Sequence, residues 1–377
     1  LWAVLENLWS QSPLWWTTLA LTQSPGNLAI LHLGQGAGPA GVSVLIVAVN
    51  GGLALAWQHR SRSWLGLTLG LWVMGHAIGL SLYGQPLQDL PGQALRVGLI
   101  QGNIPNQEKF TPAGRVRTNQ VYGTGYRDLA DRGVDLVLTP EGALPYTEVA
   151  AEVIAPDLFA AVREREIPLV LGVYGQNGRG RPTNGLALIL GDGRVHGRYD
   201  KVRLVPLGEY IPGEDGLNEL GIPVQRLSLV GEGFAAGRPD QVFRTPWGPA
   251  GVALCYESAY PDRFRTQVQA GATLLLTAAN NDPYSPRMMA QHQALEVMRA
   301  IETDRWLARA TNTGYSSLID PHGHVRWQSQ ANQVETQTVT LYRRSTGTLW
   351  VRWGDWLTPG LVGLAVLSLA AGRWRPG

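Results

Sequence analysis

Two long runs near the start of the chain carry no Asp, Glu, Lys or Arg: "AGVSVLIVAVNGGLALAW" at 40–57 and "WLGLTLGLWVMGHAIGLSLY" at 64–83. Coiled as helices that rise about 1.5 Å per residue, either is long enough to cross roughly 30 Å of hydrocarbon, so both are predicted membrane spans. A third run, "WLTPGLVGLAVLSLAA" at 356–371, is shorter and holds Pro359. It predicts a span near the C-terminal end of the chain. Residues 1–21 are apolar and tryptophan-rich but include Glu6 and Asn7, the pattern of an interfacial or broken membrane segment.

Between these regions the period changes. Short apolar runs bounded by Gly, Pro or Asn occur at 95–100, 134–140, 167–174, 185–190, 251–255 and 272–279, and predict buried strands. Helical stretches at 112–132, 147–166 and 286–303 lie between several of them. Thr111-Pro112, Thr147 and Ser285-Pro286 stand where an N-cap residue is expected, in two cases followed by Pro in the first turn. Alternating strands and helices, with extra strand pairing near 185–200, predict a layered α/β or α+β domain. The division is then 1–83 membrane helices, 84–94 a linker, 95–343 the catalytic domain and 344–377 a C-terminal membrane helix with a basic tail.

Composition sharpens the membrane reading. Several of the 14 tryptophans sit at the ends of the apolar runs: Trp57 and Trp64 bracket one loop, and Trp350, Trp353, Trp356 and Trp374 flank the last run. Arg60 and Arg62 in the loop between the long runs, with Arg373 and Arg375 in the tail, place both on the cytoplasmic side and the 95–343 domain on the opposite face. The chain begins with Leu inside an apolar stretch, and further membrane helices are expected upstream. A formal net charge of +2 gives no electrostatic case for nucleic acid. The single cysteine excludes an internal disulfide and any multi-cysteine metal site.

That cysteine, Cys255, follows the run "GVAL", and in layered α/β domains reactive groups gather beyond strand ends. Glu141 after "VDLVLTP" and Lys201 after "RVHGRYD" occupy similar places. A thiol is mostly protonated at neutral pH, so a carboxylate to take its proton and a cation to favour the anion would equip it for acyl transfer through a thioester. Each residue alone has a plainer reading: Glu141 a cap, Lys201 a solvated loop lysine, Cys255 a small core side chain.

Taken together and in order, "LTPEGALP", "YDKVRLVPLGEYIP" and "GVALCYESAYP" resemble the carbon-nitrogen hydrolase (nitrilase) superfamily over roughly residues 95–343. The resemblance implies a four-layer αββα sandwich, here inserted between transmembrane helices, with Glu141, Lys201 and Cys255 as the catalytic set. The flanking membrane runs and the forms "PLGEYIP" and "LCYES" are similar to the branch whose members N-acylate lipoproteins in the bacterial inner membrane. That implies a phospholipid as acyl donor through its sn-1 chain, a diacylglyceryl lipoprotein as acceptor, and a multi-pass protein with its catalytic domain on the periplasmic side. It also implies supporting roles for Glu209 beside the lysine, Tyr256 and Glu257 flanking the nucleophile, Phe110 where the family often has Trp, and Tyr284 in a segment over the site.

Nothing in the sequence calls for a cofactor. His292, His322 and His324 form no metal-ligand pattern with an acidic helix, "HGH" reads as a hairpin turn, and no phosphate-loop or dinucleotide fingerprint is present. A monomer is expected. The alternatives are a membrane-tethered amidase of the nitrilase type acting on a soluble amide, and an inactive, truncated membrane protein.

Overall fold

A computed structural model describes residues 2–13, 17–213 and 233–373. Trp374 and Arg375 of the predicted basic tail, and positions 1 and 14–16 of the N-terminal apolar stretch, lie outside the described residues.

Alternation along the strands decides the layering. In β1 (Ala94–Gln101), Leu95, Val97 and Leu99 point one way and Ile100 the other. The first set meets Val252 and Leu254 of β7 (Gly248–Leu254) and Leu276 of β8 (Leu275–Ala279) in a core between two sheets. Ile100 joins Val137 of β2 (Leu136–Leu138) and Leu171 of β3 (Leu169–Gln176) under the helices α6 (Pro112–Asp131), α7 (Glu148–Ile154) and α8 (Pro156–Arg165), with the single turn α5 (Asn106–Lys109) leading into α6. On the far side, Ala253 and Leu275 pack with Phe264 of α9 (Pro261–Gln269) and Val297 and Ile301 of α10 (Pro286–Thr303). The result is helix, sheet, sheet, helix.

Among the described residues each sheet has six strands. The first runs β12-β1-β2-β3-β4-β5, with β4 at Pro182–Ile189, β5 at Val195–Asp200 and β12 at Glu335–Tyr342. The second runs β11-β10-β9-β8-β7-β6, with β6 at Phe243–Thr245, β9 at Leu307–Thr311, β10 at Ser317–Ile319 and β11 at Val325–Gln328. At the centre of each, three strands are parallel: β1, β2 and β3 in one, β7, β8 and β9 in the other. Antiparallel strands close the edges.

Two of the predicted caps form. Thr111 Oγ1 accepts from the N–H of Gly114 and Ser285 Oγ from that of Met288, which satisfies donors that the first helical turn leaves open. Thr147 makes no such bond, and the helix predicted for 147–166 is broken at Pro156, whose ring cannot continue the hydrogen-bond ladder of α7.

The apolar N-terminal runs are the helices α3 (Gly34–Gln58) and α4 (Arg62–Tyr83), preceded by α1 (Trp2–Ser10) and the single turn α2 (Leu28–Leu31). α3 begins six residues before the run that predicted it and is kinked at Ala37, Gly38 and Pro39. Only 11% and 17% of the apolar windows of α3 and α4 are buried, unlike core helices of a soluble domain, and both are long enough to cross a membrane. Ile30, Leu31 and Val42 seat the start of this region on α10 through Val297 and Met298. After β12 the chain passes through α11 (Leu349–Trp353) into the shorter apolar helix α12 (Leu357–Arg373).

Candidate active site

Glu141, Lys201 and Cys255 all stand just past strand ends, the first two from one sheet and the third from the other. Glu141 follows the end of β2, and Lys201 directly follows β5, its N–H bonded to the carbonyl of Asn184 at 2.8 Å. Cys255 opens a 3₁₀ turn, Cys255–Ala259, after β7.

The ammonium of Lys201, 1% exposed, sits between two carboxylates: Nζ lies 2.8 Å from Glu141 Oε1 and 2.9 Å from Glu209 Oε1. Asn184 bridges the same two oxygens, its Nδ2 donating at 2.8 and 3.0 Å. Glu141 Oε2 accepts from the N–H of Asn280 at 3.0 Å and Glu209 Oε2 from that of Val205 at 2.8 Å. Burial alone would push the lysine down, but Glu141 and then Glu209 hold it well above the ordinary value, so it is a permanent cation. A charge taken this far from water persists only when paired this closely.

Cys255 lies within electrostatic reach of this cluster: its charge would act on Lys201, and Glu141, Lys201 and Glu209 act on it. Burial, with Glu141 next, pushes the thiol up to about 12 against the opposing pull of Lys201. The resting sulfur is therefore a protonated thiol, and a base must take its proton as it attacks. Its backbone is left-handed, φ 49°, a conformation that costs a non-glycine residue about 1–2 kcal/mol and must be held by its surroundings.

Glu257 supplies one of those holds. It is wholly buried; Oε1 accepts from the N–H groups of Val202 and Arg203 at 2.8 and 3.0 Å, and Oε2 from the N–H of Leu254 and the hydroxyl of Tyr199, both at 2.9 Å. One carboxylate thus ties the loop after Lys201 to the turn that carries Cys255. Burial pushes this acid up, and the three backbone donors together with the nearby Arg263 oppose that.

Tyr256 lines the cavity beside Cys255 while its hydroxyl donates to the carbonyl of Pro13 at 2.6 Å and its ring stands edge-on to Tyr260 at 5.2 Å. Tyr284 joins Met288 and Leu295 in a small, half-open cavity that Cys255 also lines. Burial, followed by the proximity of Cys255 and Glu141, pushes its phenol up to about 12. Phe110 is not drawn into this group: it is 53% exposed and meets Tyr146 edge-on at 5.9 Å.

Three further residues belong to the site. Asn184 stands just before the apolar run 185–190, where nothing in the sequence singles it out. Lys109 is a second buried lysine, its Nζ donating to the carbonyl of Gly142 at 2.9 Å; burial lowers it to about 8, with Glu141 and Asp282 pulling the other way. His292 lies behind Cys255 and bonds its carbonyl at 2.8 Å. Neither Lys109 nor His292 carries a sequence signal, because the groups each of them bonds are brought beside it only by the fold.

Residues 96–349 match the carbon-nitrogen hydrolase family. The chain is 50% identical over 372 residues to the apolipoprotein N-acyltransferase of a Nostoc species, covering 98% of this chain and 73% of that one. It is 46% identical to the apolipoprotein N-acyltransferase of a Synechocystis species, covering 94% and 70%, and 31% identical to that of Pseudomonas aeruginosa, covering 99% and 73%. Among solved structures, an amidase from a Nesterenkonia species superposes with a TM-score of 0.51 at 20% identity, over 69% of this chain and 95% of that one. The Caenorhabditis elegans NitFhit protein does so with a TM-score of 0.51 at 19% identity, over 73% and 65%. At such identities these two structures speak for the nitrilase-like fold alone.

Proposed function

The chain belongs to the carbon-nitrogen hydrolase family, among its apolipoprotein N-acyltransferases, and on that premise we propose that Cys255 carries an acyl chain from a phospholipid to a lipoprotein. It is an acyltransferase whose reaction is lipoprotein N-acylation. The donor is the sn-1 ester of a phospholipid, and the acceptor is the free α-amine of an N-terminal S-diacylglyceryl cysteine.

In the first half-reaction the thiol sulfur attacks the ester carbonyl while Glu141 takes its proton. Lys201, with the N–H that follows Cys255, stabilises the oxyanion. The carbon–oxygen bond to glycerol then breaks, Glu141 returns the proton to the leaving oxygen, and a lysophospholipid departs from a thioester on Cys255. In the second, the neutral amine attacks the thioester, Glu141 takes a proton from it, the carbon–sulfur bond breaks, and the sulfur recovers its proton as the amide is released. Glu209 and Asn184 hold the lysine and the general base in register, and Tyr284 covers the acyl chain.

The observation that carries this reading is the buried Lys201 clamped by Glu141 and Glu209 beside the lone cysteine. The opening at that cysteine adds support: beside His292 its lining is apolar and aromatic, with Tyr256, Ala259, Tyr284, Met288 and Leu295. The amidase alternative has no observation in its favour. We assign the protein to the bacterial inner membrane as a multi-pass chain, with the catalytic domain on the periplasmic side; α3, α4 and the arginines at 60 and 62 support that orientation. Incubation with phospholipid and a synthetic S-diacylglyceryl cysteinyl peptide should yield a peptide heavier by one amide-linked acyl chain, read by mass spectrometry. An unmodified peptide alongside hydrolysis of a soluble amide would overturn the assignment.

A further inference from the structure

His292 is buried against the turn that carries the nucleophile, at the wall of the cavity that Cys255 lines, and its two ring nitrogens face opposite kinds of partner. Nδ1 lies 3.0 Å from Asn281 Nδ2 and 3.2 Å from Arg309 Nη2. The guanidinium is a donor only, and Arg309 Nη2 also reaches Asn281 Oδ1 at 3.2 Å, which turns the amide so that its nitrogen faces the ring. With two donors aimed at it, Nδ1 has to be the unprotonated acceptor. The proton therefore resides on Nε2, which donates at 2.8 Å to the backbone carbonyl of Cys255.

The donors are themselves fixed. Glu296, fully buried, pairs with Arg309 and accepts from Ser258 Oγ at 2.7 Å and Thr277 Oγ1 at 2.9 Å. That one carboxylate gathers α10, β8, β9 and the turn bearing the nucleophile. The chain of contacts ends on a single peptide group, the one between Cys255 and Tyr256. Because a trans peptide is planar, its carbonyl and N–H point in opposite directions. Holding the carbonyl on His292 aims the Tyr256 N–H away from α10.

We propose that His292 is a positioning residue for the acyl transfer: through the Cys255 carbonyl it holds the nucleophile in its left-handed conformation and orients the following N–H as the second oxyanion donor beside Lys201. This inference rests on the thioester reading above; His292 also borders the cavity beside Cys255, but both of its ring nitrogens are taken by protein partners, so it acts through the Cys255 carbonyl. Its tautomer is set by Arg309 and Asn281, so the geometry at the sulfur depends on side chains in α10, β9 and the loop after β8.

The test compares His292→Gln with His292→Asn. Gln extends far enough to place an amide N–H where Nε2 lies, whereas Asn reproduces only the Nδ1 position and falls short of the Cys255 carbonyl; both keep a polar group toward Asn281 and Arg309. The rate of thioester formation from labelled phospholipid is measured for each in single turnover, with the concentration dependence on phospholipid and the melting temperature recorded in parallel. The expected result is a rate within about fivefold of wild type for Gln. For Asn it is a loss of about 10²-fold in maximal rate, the scale of a misaligned oxyanion donor, with half-saturation unchanged. Equal rates for Asn and Gln, or a deficit confined to half-saturation, would overturn the role of His292. Absence of a thioester in the wild type would instead overturn the reaction on which it rests.

Discussion

Cys255 and Lys109 show how far the fold moves individual groups from their ordinary chemistry. Burial and Glu141 raise the thiol from its ordinary 9.0 to about 12, so the thiolate fraction still grows at pH values where a free thiol has levelled off. Alkylation of the resting protein by iodoacetamide should therefore continue to accelerate between pH 9 and roughly 11; a plateau near pH 8 would mean an activated thiolate instead. Lys109 runs the other way. Its folded value of about 8 lies below the ordinary 10.5, so below pH 8 the folded state bears the full penalty of a buried cation. Between about 8 and 10.5 the unfolded chain binds the extra proton and stability rises with pH, by about 3 kcal/mol over that interval. Melting temperatures of wild type measured against Lys109→Met from pH 7 to 10.5 should shift in favour of wild type as pH rises, and a gap that stays flat or narrows the other way would contradict this. Glu141 and Cys255 could be picked out in the sequence because strand-like runs precede them. Lys109 could not, since its burial is decided by the Gly142 carbonyl that the fold brings beside it.

At the scale of elements, close approach is permitted by small side chains. In α4, a Cβ on Gly79 would come within 2.0 Å of the carbonyl oxygen of Ala29 at α2, a backbone atom that cannot swing aside, while Gly70 of the same helix has nothing within 4 Å. Small residues at contacts between apolar helices let backbones approach where lipid gives no hydrophobic drive to association. Gly79→Ala should lower the melting temperature in detergent by several degrees, whereas Gly70→Ala should leave it unchanged or slightly raised, since Ala is the better helix former by about 1 kcal/mol. Equal effects of the two substitutions would mean that α2 and α4 are not packed in this way. Helix periodicity and end signals located α6 and α10 in the sequence within a residue or two. The helix predicted for 147–166 divides because Pro156, a breaker inside an otherwise helical pattern, prevails over the pattern around it. The kink at Gly38 and Pro39 at the head of α3 lay upstream of the apolar run, where nothing in the hydrophobic pattern marked it.

The whole molecule joins an αββα domain to apolar helices through α10, whose one face supports the nucleophile turn and whose other receives α2 and α3. A layered α/β domain was legible from short apolar runs and their spacing, whereas the two-sheet αββα order and a place for Glu209 beside Lys201 came only from the resemblance to the carbon-nitrogen hydrolases; the part of Asn184 was not legible, because β4 and the end of β5 bring it to Lys201 only when the sheet forms. The proposed orientation makes a direct prediction in a Cys255→Ala background. A cysteine placed at Ser63, in the first turn of α4, should react with a membrane-impermeant maleimide only after the cells are lysed, and one placed at Arg179 in the catalytic domain should react in intact spheroplasts. The reverse pattern would invert the topology. The central claim is that a carboxylate, an ammonium and a thiol from distant parts of the chain form one acyl-transfer centre. Its most direct measurement is mass spectrometry of the protein after exposure to phospholipid without acceptor. The account predicts one hydroxylamine-sensitive acyl group on Cys255 in the wild type, none in Cys255→Ala, and formation at least about 10²-fold slower in Lys201→Met. An acyl group attached elsewhere, or one that forms on Cys255 at full rate without Lys201, would contradict it.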